Sequence, residues 1–200
     1  MSKTLVIFLH GVGSNGHDLA ALGQLWAKQL PGVIFAAPNA PFPCDFGNGY
    51  QWFSLDGVTE QNRPQRIVEA RAAFDKTLQQ TMTQQQIDPA TDNVVLVGFS
   101  QGSIMSLDLL VSGRLPVTAI VAFSGRLASP KPWKPLPDTS VLLLHGTSDP
   151  VIPWQNSQSA ATELAALGVK VQLELEAGVV HTISAKGANK AIEFIKNLIK

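Results

Sequence analysis

Residues 93–107 read NVVLVGFSQGSIMSL: an apolar run, a Gly-x-Ser-x-Gly at 98–102, and a second apolar segment directly after it. Val94 to Val97 suits a strand buried on both faces, and the segment after Gly102 suits a helix. A serine on so tight a strand-to-helix turn sits in a strained backbone conformation, and side chains larger than Gly at 98 and 102 would collide. The turn aims Ser100 Oγ away from the sheet. The Gln101 N–H, first in the helix, can then donate to a negative oxygen. The same spacing also arises in small-residue turns that merely pack helix on strand, so its meaning depends on the rest of the chain.

The rest of the chain has the strand–helix rhythm that such a turn needs. TLVIFL (4–9), VIFAA (33–37), VVLVG (94–98), AIVAF (119–123) and VLLLH (141–145) read as parallel strands buried on both faces. VQLELE (171–176) alternates, as an edge strand with one wet face does. Ile67, Ala70, Phe74 and Leu78 recur at helical spacing behind a capping box predicted at Asn62 and Gln65, with Pro64 in the first turn. Ala160, Ala161, Leu164 and Leu167 repeat the pattern up to Gly168, and Ala188, Ile192, Ile195 and Ile199 share a face of the last helix. QQTMTQQQ (79–86) reads as the solvated end of a long helix. The predicted fold is α/β: a mostly parallel central sheet with helices on both faces, in a single domain spanning residues 1–200. Residues 38–62 form one long irregular segment, of the kind that is usually functional or mobile.

Composition narrows the function. Two hundred residues, 45% hydrophobic and 15% charged, suit a globular chain that buries about 70% of its unfolded surface. Fifteen basic residues cancel fifteen acidic ones, which argues against a nucleic-acid partner. Cys44 is the lone cysteine and implies no oxidising compartment. The N-terminal apolar run, Leu5 to Leu9, is too short for a secretion signal, and no run of about 20 apolar residues predicts a membrane span. A cytoplasmic protein is the expectation.

In an open parallel sheet, ligands sit beyond the carboxyl ends of the strands. HGVGSNG (10–16) follows the first strand and contains G-x-G-x-x-G, the dinucleotide spacing. The second strand lacks the acidic residue that would hold a ribose, so the better use of these glycines is to turn a backbone N–H inward as an oxyanion donor. A serine nucleophile needs a base and a carboxylate to orient it. Of four histidines, His10 reads as a packing residue beneath the site, His17 as exposed in a polar loop, and His145 as a strand-end residue bonded to backbone. His181 follows the sixth strand. Asp149, in HGTSDP, follows the fifth, whereas Asp138 precedes it at the wrong end of the sheet. Ser100, Asp149 and His181 thus occur in the Ser…Asp…His order of a hydrolase triad.

FLHGVGSNGHDL, APNAP, QWFSLDG, VGFSQGSIMSL, LHGTSDPVIP and HTIS together resemble the phospholipase/carboxylesterase family of small α/β-hydrolases, which includes acyl-protein thioesterases. QWFS with a following TE.NR is similar to small bacterial esterases of that family. The resemblance covers nearly the whole chain. It implies an α/β-hydrolase fold without a separate lid domain, and hydrolysis of small esters or thioesters through an acyl-enzyme, with no metal or organic cofactor. It implies nucleophile Ser100, acid Asp149, base His181, and oxyanion donors at the N–H groups of Val12 and Gln101. The chain departs from it at Gly178-Val179-Val180-His181, where relatives often have Gly-x-Gly-His, and at Ser14, where they often have Asp. Some lactone-cleaving relatives place Cys in the elbow, but Ser100 occupies it here and Cys44 has no local histidine to activate it.

Phe46, Tyr50, Trp52 and Phe53 in the long loop, with Val151, Ile152 and Trp154 after the acid, are candidates for an acyl pocket. The same composition is that of a core beneath a loop, and both readings stay open. The alternatives to a serine carboxylesterase are a dienelactone-type lactonase and a non-catalytic hydrolase-fold binding module. Monomer and homodimer are both open.

Overall fold

A computed structural model describes residues 2–199. In chain order its elements are β1 (Thr4–Leu9), α1 (Gly16–Ala27), β2 (Ile34–Ala36), β3 (Phe42–Pro43), β4 (Tyr50–Gln51) and α2 (Arg63–Gln84). Next come β5 (Asn93–Phe99), α3 (Gln101–Ser112), β6 (Ala119–Phe123), β7 (Ser140–Gly146), α4 (Gln155–Ala166), β8 (Lys170–Glu176) and α5 (Ala185–Leu198). Six strands form one sheet in the order β2-β1-β5-β6-β7-β8, every neighbouring pair parallel.

The apolar runs become strands because each buries side chains on both faces. Leu5, Ile7 and Leu9 pack with Leu96, Ile120 and Leu143 beneath α2, α3 and α4. Val6 and Phe8 pack with Val97, Val121 and Leu144 beneath α1 and α5. β8 is an edge strand, as its alternation predicts: Lys170 and Gln172 are exposed while Val171 and Leu173 turn towards the core. β2 differs from expectation. It is the opposite edge, only three residues long and half-buried throughout, because its one strand neighbour is β1. Among the described residues no helix is long and apolar enough to cross a membrane.

Two local expectations also change. Asn62 does not cap α2 in a box with Gln65; its backbone is already helical (φ −96°, ψ −13°). Thr59 N–H donates to Asn62 Oδ1 (2.7 Å) and Asn62 N–H donates to Thr59 Oγ1 (3.2 Å), so the reciprocal cap sits one turn earlier. Pro64, lacking an N–H, leaves Asn62 fewer donors to satisfy in the turn ahead, and its carboxamide turns back. The polar tail 79–86 is not uniformly solvated either, since Thr81 and Met82 are buried. The long segment 38–62 holds a short antiparallel ribbon that pairs Phe42 with Gln51 and Pro43 with Tyr50.

α3 runs through the centre of the protein, and its one acidic residue, Asp108, has a fully buried carboxylate. Arg71 of α2 grips it with two bonds (2.9 and 2.8 Å), and Arg114 Nη1 donates to Oδ2 at 2.7 Å. Burial pushes this carboxyl up, but the two guanidinium groups outweigh burial and hold it below the usual carboxylate range. Asp108→Asn should therefore cost about 3–5 kcal/mol of stability in urea unfolding, because it takes the buried anion from Arg71 and leaves Arg114 only its second carboxylate, Asp75. A loss below about 1 kcal/mol would rank the cluster with exposed ion pairs.

Candidate active site

The chain leaves β1 through α1 towards β2, then returns through α2 to β5 on the other side of β1. This reversal opens a crevice at the carboxyl ends of β1 and β5, where a ligand site belongs. The loops after β1, β5, β7 and β8 meet around it.

Ser100 has φ 52° and ψ −113°, a conformation that costs a residue with a side chain about 1–3 kcal/mol. Its glycine neighbours are sterically required. A Cβ on Gly98 would lie 2.5 Å from Ser103 N, and one on Gly102 2.0 Å from Leu9 O. The turn is fixed from β6: Ser100 N–H and Ser103 Oγ–H both donate to Phe123 O, at 3.0 and 2.8 Å.

Gln101 has a role that its place in the motif did not suggest. Its buried carboxamide accepts from Trp52 N–H and donates to Phe53 O, each at 2.7 Å, and so bolts the long loop to the elbow. Its own N–H belongs to the first turn of α3 and has no intrahelical acceptor. On the other side of Ser100, the glycine loop is held by Gly13 N–H to Tyr50 O (2.9 Å) and Tyr50 N–H to Ser14 O (2.8 Å). Gly13 has φ +77°, and a Cβ on Gly16 would lie 1.9 Å from Ala37 O. These glycines thus serve a turn and a close helix approach. Val12 is half-buried in this loop.

His10 lies beneath the site as expected. Its Nδ1–H donates to Gly11 O (2.7 Å) while Nε2 accepts from Ala40 N–H (2.9 Å). His17 is exposed but stands in the first turn of α1, not in the loop before it. Asp138 precedes β7, away from the site.

Ser100, His181 and Asp149 form a continuous chain of contacts. Ser100 Oγ is 3.0 Å from His181 Nε2, and His181 Nδ1 is 2.7 Å from Asp149 Oδ2. Asp149 Oδ1 accepts from the N–H groups of Val151 (2.8 Å) and Ile152 (2.9 Å). Burial pushes the Asp149 carboxyl up, but bonds from His181, Ile152 and Val151 win, and it stays below the usual range. The departure at Gly178-Val179-Val180 does not loosen the His181 loop. Ser148 N–H donates to Val179 O (3.0 Å) and Gly178 N–H to Thr147 Oγ1 (3.0 Å). Ser184 Oγ–H donates to the buried Glu176 carboxylate at 2.6 Å and accepts from Gly187 N–H, closing the loop where α5 begins.

His145 bonds to backbone as predicted, with Nε2 2.8 Å from Ile152 O. It also lies 3.1 Å from Asp149 Oδ2, a contact that periodicity and motif spacing do not reveal.

The candidate pocket residues separate into groups. Trp52 and Ile152 belong to the core, with 0% and 5% exposure, so the pocket reading fails for them. Trp52 packs edge-on against Phe74 and donates its indole N–H to His10 O. Phe53 is also buried, but it borders a cavity of about 370 Å³ with Phe42, Pro43 and Ala70, between the ribbon and α2. Tyr50 and Trp154 are half-buried, while Phe46 and Val151 are exposed. Among the described residues, no group of three or more His, Cys, Asp or Glu side chains is placed to hold a metal ion.

Comparison with known proteins gives the family. A family model for phospholipases/carboxylesterases matches residues 1–199. The chain belongs to that family. The crystal structure of esterase PE8 is 37% identical and superposes with a TM-score of 0.86, covering 99% of this chain and 94% of that one. Esterase YpfH of Escherichia coli is 29% identical over 99% of this chain and 84% of its own length. Acyl-protein thioesterase 1 of Candida albicans is 27% identical over 100% of this chain and 94% of its own. The fold is that of the α/β-hydrolases, as the resemblance implied.

The two buried histidines make stability depend on pH. Burial pushes His10 and His145 below the ordinary imidazole value of 6.5. Between that value and their folded-state values, the unfolded chain binds more protons than the folded one, so stability falls as pH falls. The melting temperature should be steady above about pH 7 and drop progressively below about pH 6.5. His10→Gln should melt lower at neutral pH yet show a shallower acid slope. Equal slopes in thermal melts of the two proteins would contradict the assignment.

Proposed function

We propose that the protein is a serine carboxylesterase that cleaves small esters or thioesters through an acyl-enzyme on Ser100. The carrying observation is the unbroken contact chain from Ser100 Oγ to His181 to the buried Asp149 carboxylate. His181 Nε2 takes the Ser100 proton as Oγ forms a bond to the acyl carbonyl carbon. Asp149 holds the Nδ1–H tautomer and balances the imidazolium. The carbonyl π-electrons move onto oxygen, and the Val12 and Gln101 N–H groups are the assigned oxyanion donors. As the tetrahedral intermediate collapses, the bond to the leaving alcohol or thiol breaks and His181 returns the proton to it. Water then repeats the sequence, releasing the acid and restoring Ser100. Half-buried Tyr50 and Trp154 and exposed Phe46 and Val151 are the remaining candidates for touching the acyl group. We read the chain as one catalytic domain without a separate lid, and as cytoplasmic, since one cysteine calls for no oxidising compartment.

Ser100→Ala should abolish hydrolysis of p-nitrophenyl esters and labelling by a fluorophosphonate while leaving the melting curve in place. Asp149→Asn should lower kcat by up to about 10⁴-fold. The rate should rise with pH as one imidazole loses its proton, because only the neutral ring is a base. Undiminished turnover in Ser100→Ala, or a profile flat between about pH 5 and 8, would rule the mechanism out.

A further inference from the structure

The proposed acid faces a second imidazole that a three-residue triad does not need. Asp149 Oδ2 faces two imidazoles, His181 Nδ1 at 2.7 Å and His145 Nε2 at 3.1 Å, and both the Asp149 and His145 side chains are wholly buried. The His145 tautomer follows from its neighbours. Ile152 O, 2.8 Å from Nε2, can only accept, so Nε2 carries the ring proton and donates it to Ile152 O, while Asp149 Oδ2 lies 3.1 Å from the same nitrogen and feels the N–H dipole. Nδ1 is then a lone pair, and the Ser157 hydroxyl, 2.6 Å away on α4, donates to it. Burial favours the neutral ring.

Resting on the hydrolase reading, we propose that His145 is a positioning residue, held as a neutral Nε2–H donor by Ser157 and competing with His181 for Asp149 Oδ2. Ile152 closes the arrangement, since its N–H donates to Asp149 Oδ1 while its C=O accepts from His145. The turn 149–152 is therefore clamped from both ends, and the carboxylate cannot rotate without breaking a bond to His145 or to the backbone. The titratable groups that meet here are His145 from β7, Asp149 from the loop after it and His181 from the loop before α5. α4 contributes the Ser157 hydroxyl, the segment after β6 the Gly125 carbonyl, and β5 the Phe99 ring, tilted against His181 with centroids 4.9 Å apart.

The arrangement has a functional sign. A donor on Oδ2 withdraws charge from the oxygen that faces His181. Removing it leaves that oxygen more basic, which favours the imidazolium and delays the appearance of the neutral base as pH rises. His145→Leu should lower kcat by roughly tenfold with KM little changed, the cost of one charge-directed hydrogen bond. It should also move the acid-limb midpoint of kcat/KM upward. His145→Gln, whose amide can return an N–H to the Nε2 position, should restore the midpoint. Ser157→Ala should shift it in the same direction as His145→Leu, by less. Imidazole ¹⁵N shifts of the intact protein should report His145 as the neutral Nε2–H form at about pH 7 to 8. An Nδ1–H ring or an imidazolium in that range would overturn the proposal. So would a wild-type midpoint in Ser157→Ala, a test that holds even where His145→Leu fails to fold. Fluorophosphonate labelling of the wild type separates the two claims: its absence removes the hydrolase reading, while labelling with unmoved midpoints removes the role of His145 alone.

Discussion

One close approach of two backbones governs the site. The first turn of α3 is pressed so tightly onto the end of β1 that a single methyl on Gly102 would overlap Leu9 O. With α3 seated there, the chain has no room to leave β5 by an ordinary turn, and Ser100 takes up its positive φ. The strain is of order 1–3 kcal/mol and is held by bonds to Phe123 O and by the burial of nearly all of α3. The same contact brings the glycine loop after β1 beside the serine. Nucleophile and candidate oxyanion donors thus share one packing constraint.

Two fully buried carboxylates flank this centre and are stabilised in opposite ways. Asp108 is neutralised outright by Arg71 and Arg114 and ties α2 to α3. Asp149 has no guanidinium or ammonium partner among its contacts; it is surrounded by two backbone N–H groups and two imidazoles. With both rings neutral, Asp149 is a buried anion stabilised by dipoles alone, an expensive state that resists protonation only because every lone-pair direction is served. In the proposed mechanism His181 accepts the serine proton, and a cation then appears 2.7 Å from that anion. The environment is complementary to the charged intermediate more than to the resting state, as electrostatic preorganisation requires.

Much of this was legible in the chain. Runs such as TLVIFL and AIVAF have one structural use, and strand–helix alternation then dictates a parallel sheet with its chemistry at the carboxyl ends. The candidate triad could be picked out because Ser100, Asp149 and His181 each follow a strand and come in the order of a hydrolase triad. What was missed mostly concerns partners far apart in sequence. Nothing local shows that Gln101 reaches back to Trp52 and Phe53, that Arg71 and Arg114 neutralise Asp108, or that the strand at 34–36 ends up at an edge. The cap at Asn62 failed for a nearer reason. Thr59 offered the same reciprocal bond three residues earlier, where no proline interrupts the donors.

The long loop shows why composition could not decide between pocket and core. Trp52 and Phe53 carry the aromatic character of a binding wall, yet their backbone is held by Gln101 and the Trp52 indole by His10 O. Their bulk supports the elbow from beneath and leaves the exposed apolar surface to residues on turn tips, Phe46, Val151 and Val180. Val151 and Val180 stand two residues after the acid and one before the base. Val151 N–H is held by Asp149 Oδ1 itself, and Val180 O accepts from Thr182 N–H in the turn that carries His181. Apolar surface and reactive groups are therefore held in one rigid frame, so a change that moves the acid loop must move part of the rim with it.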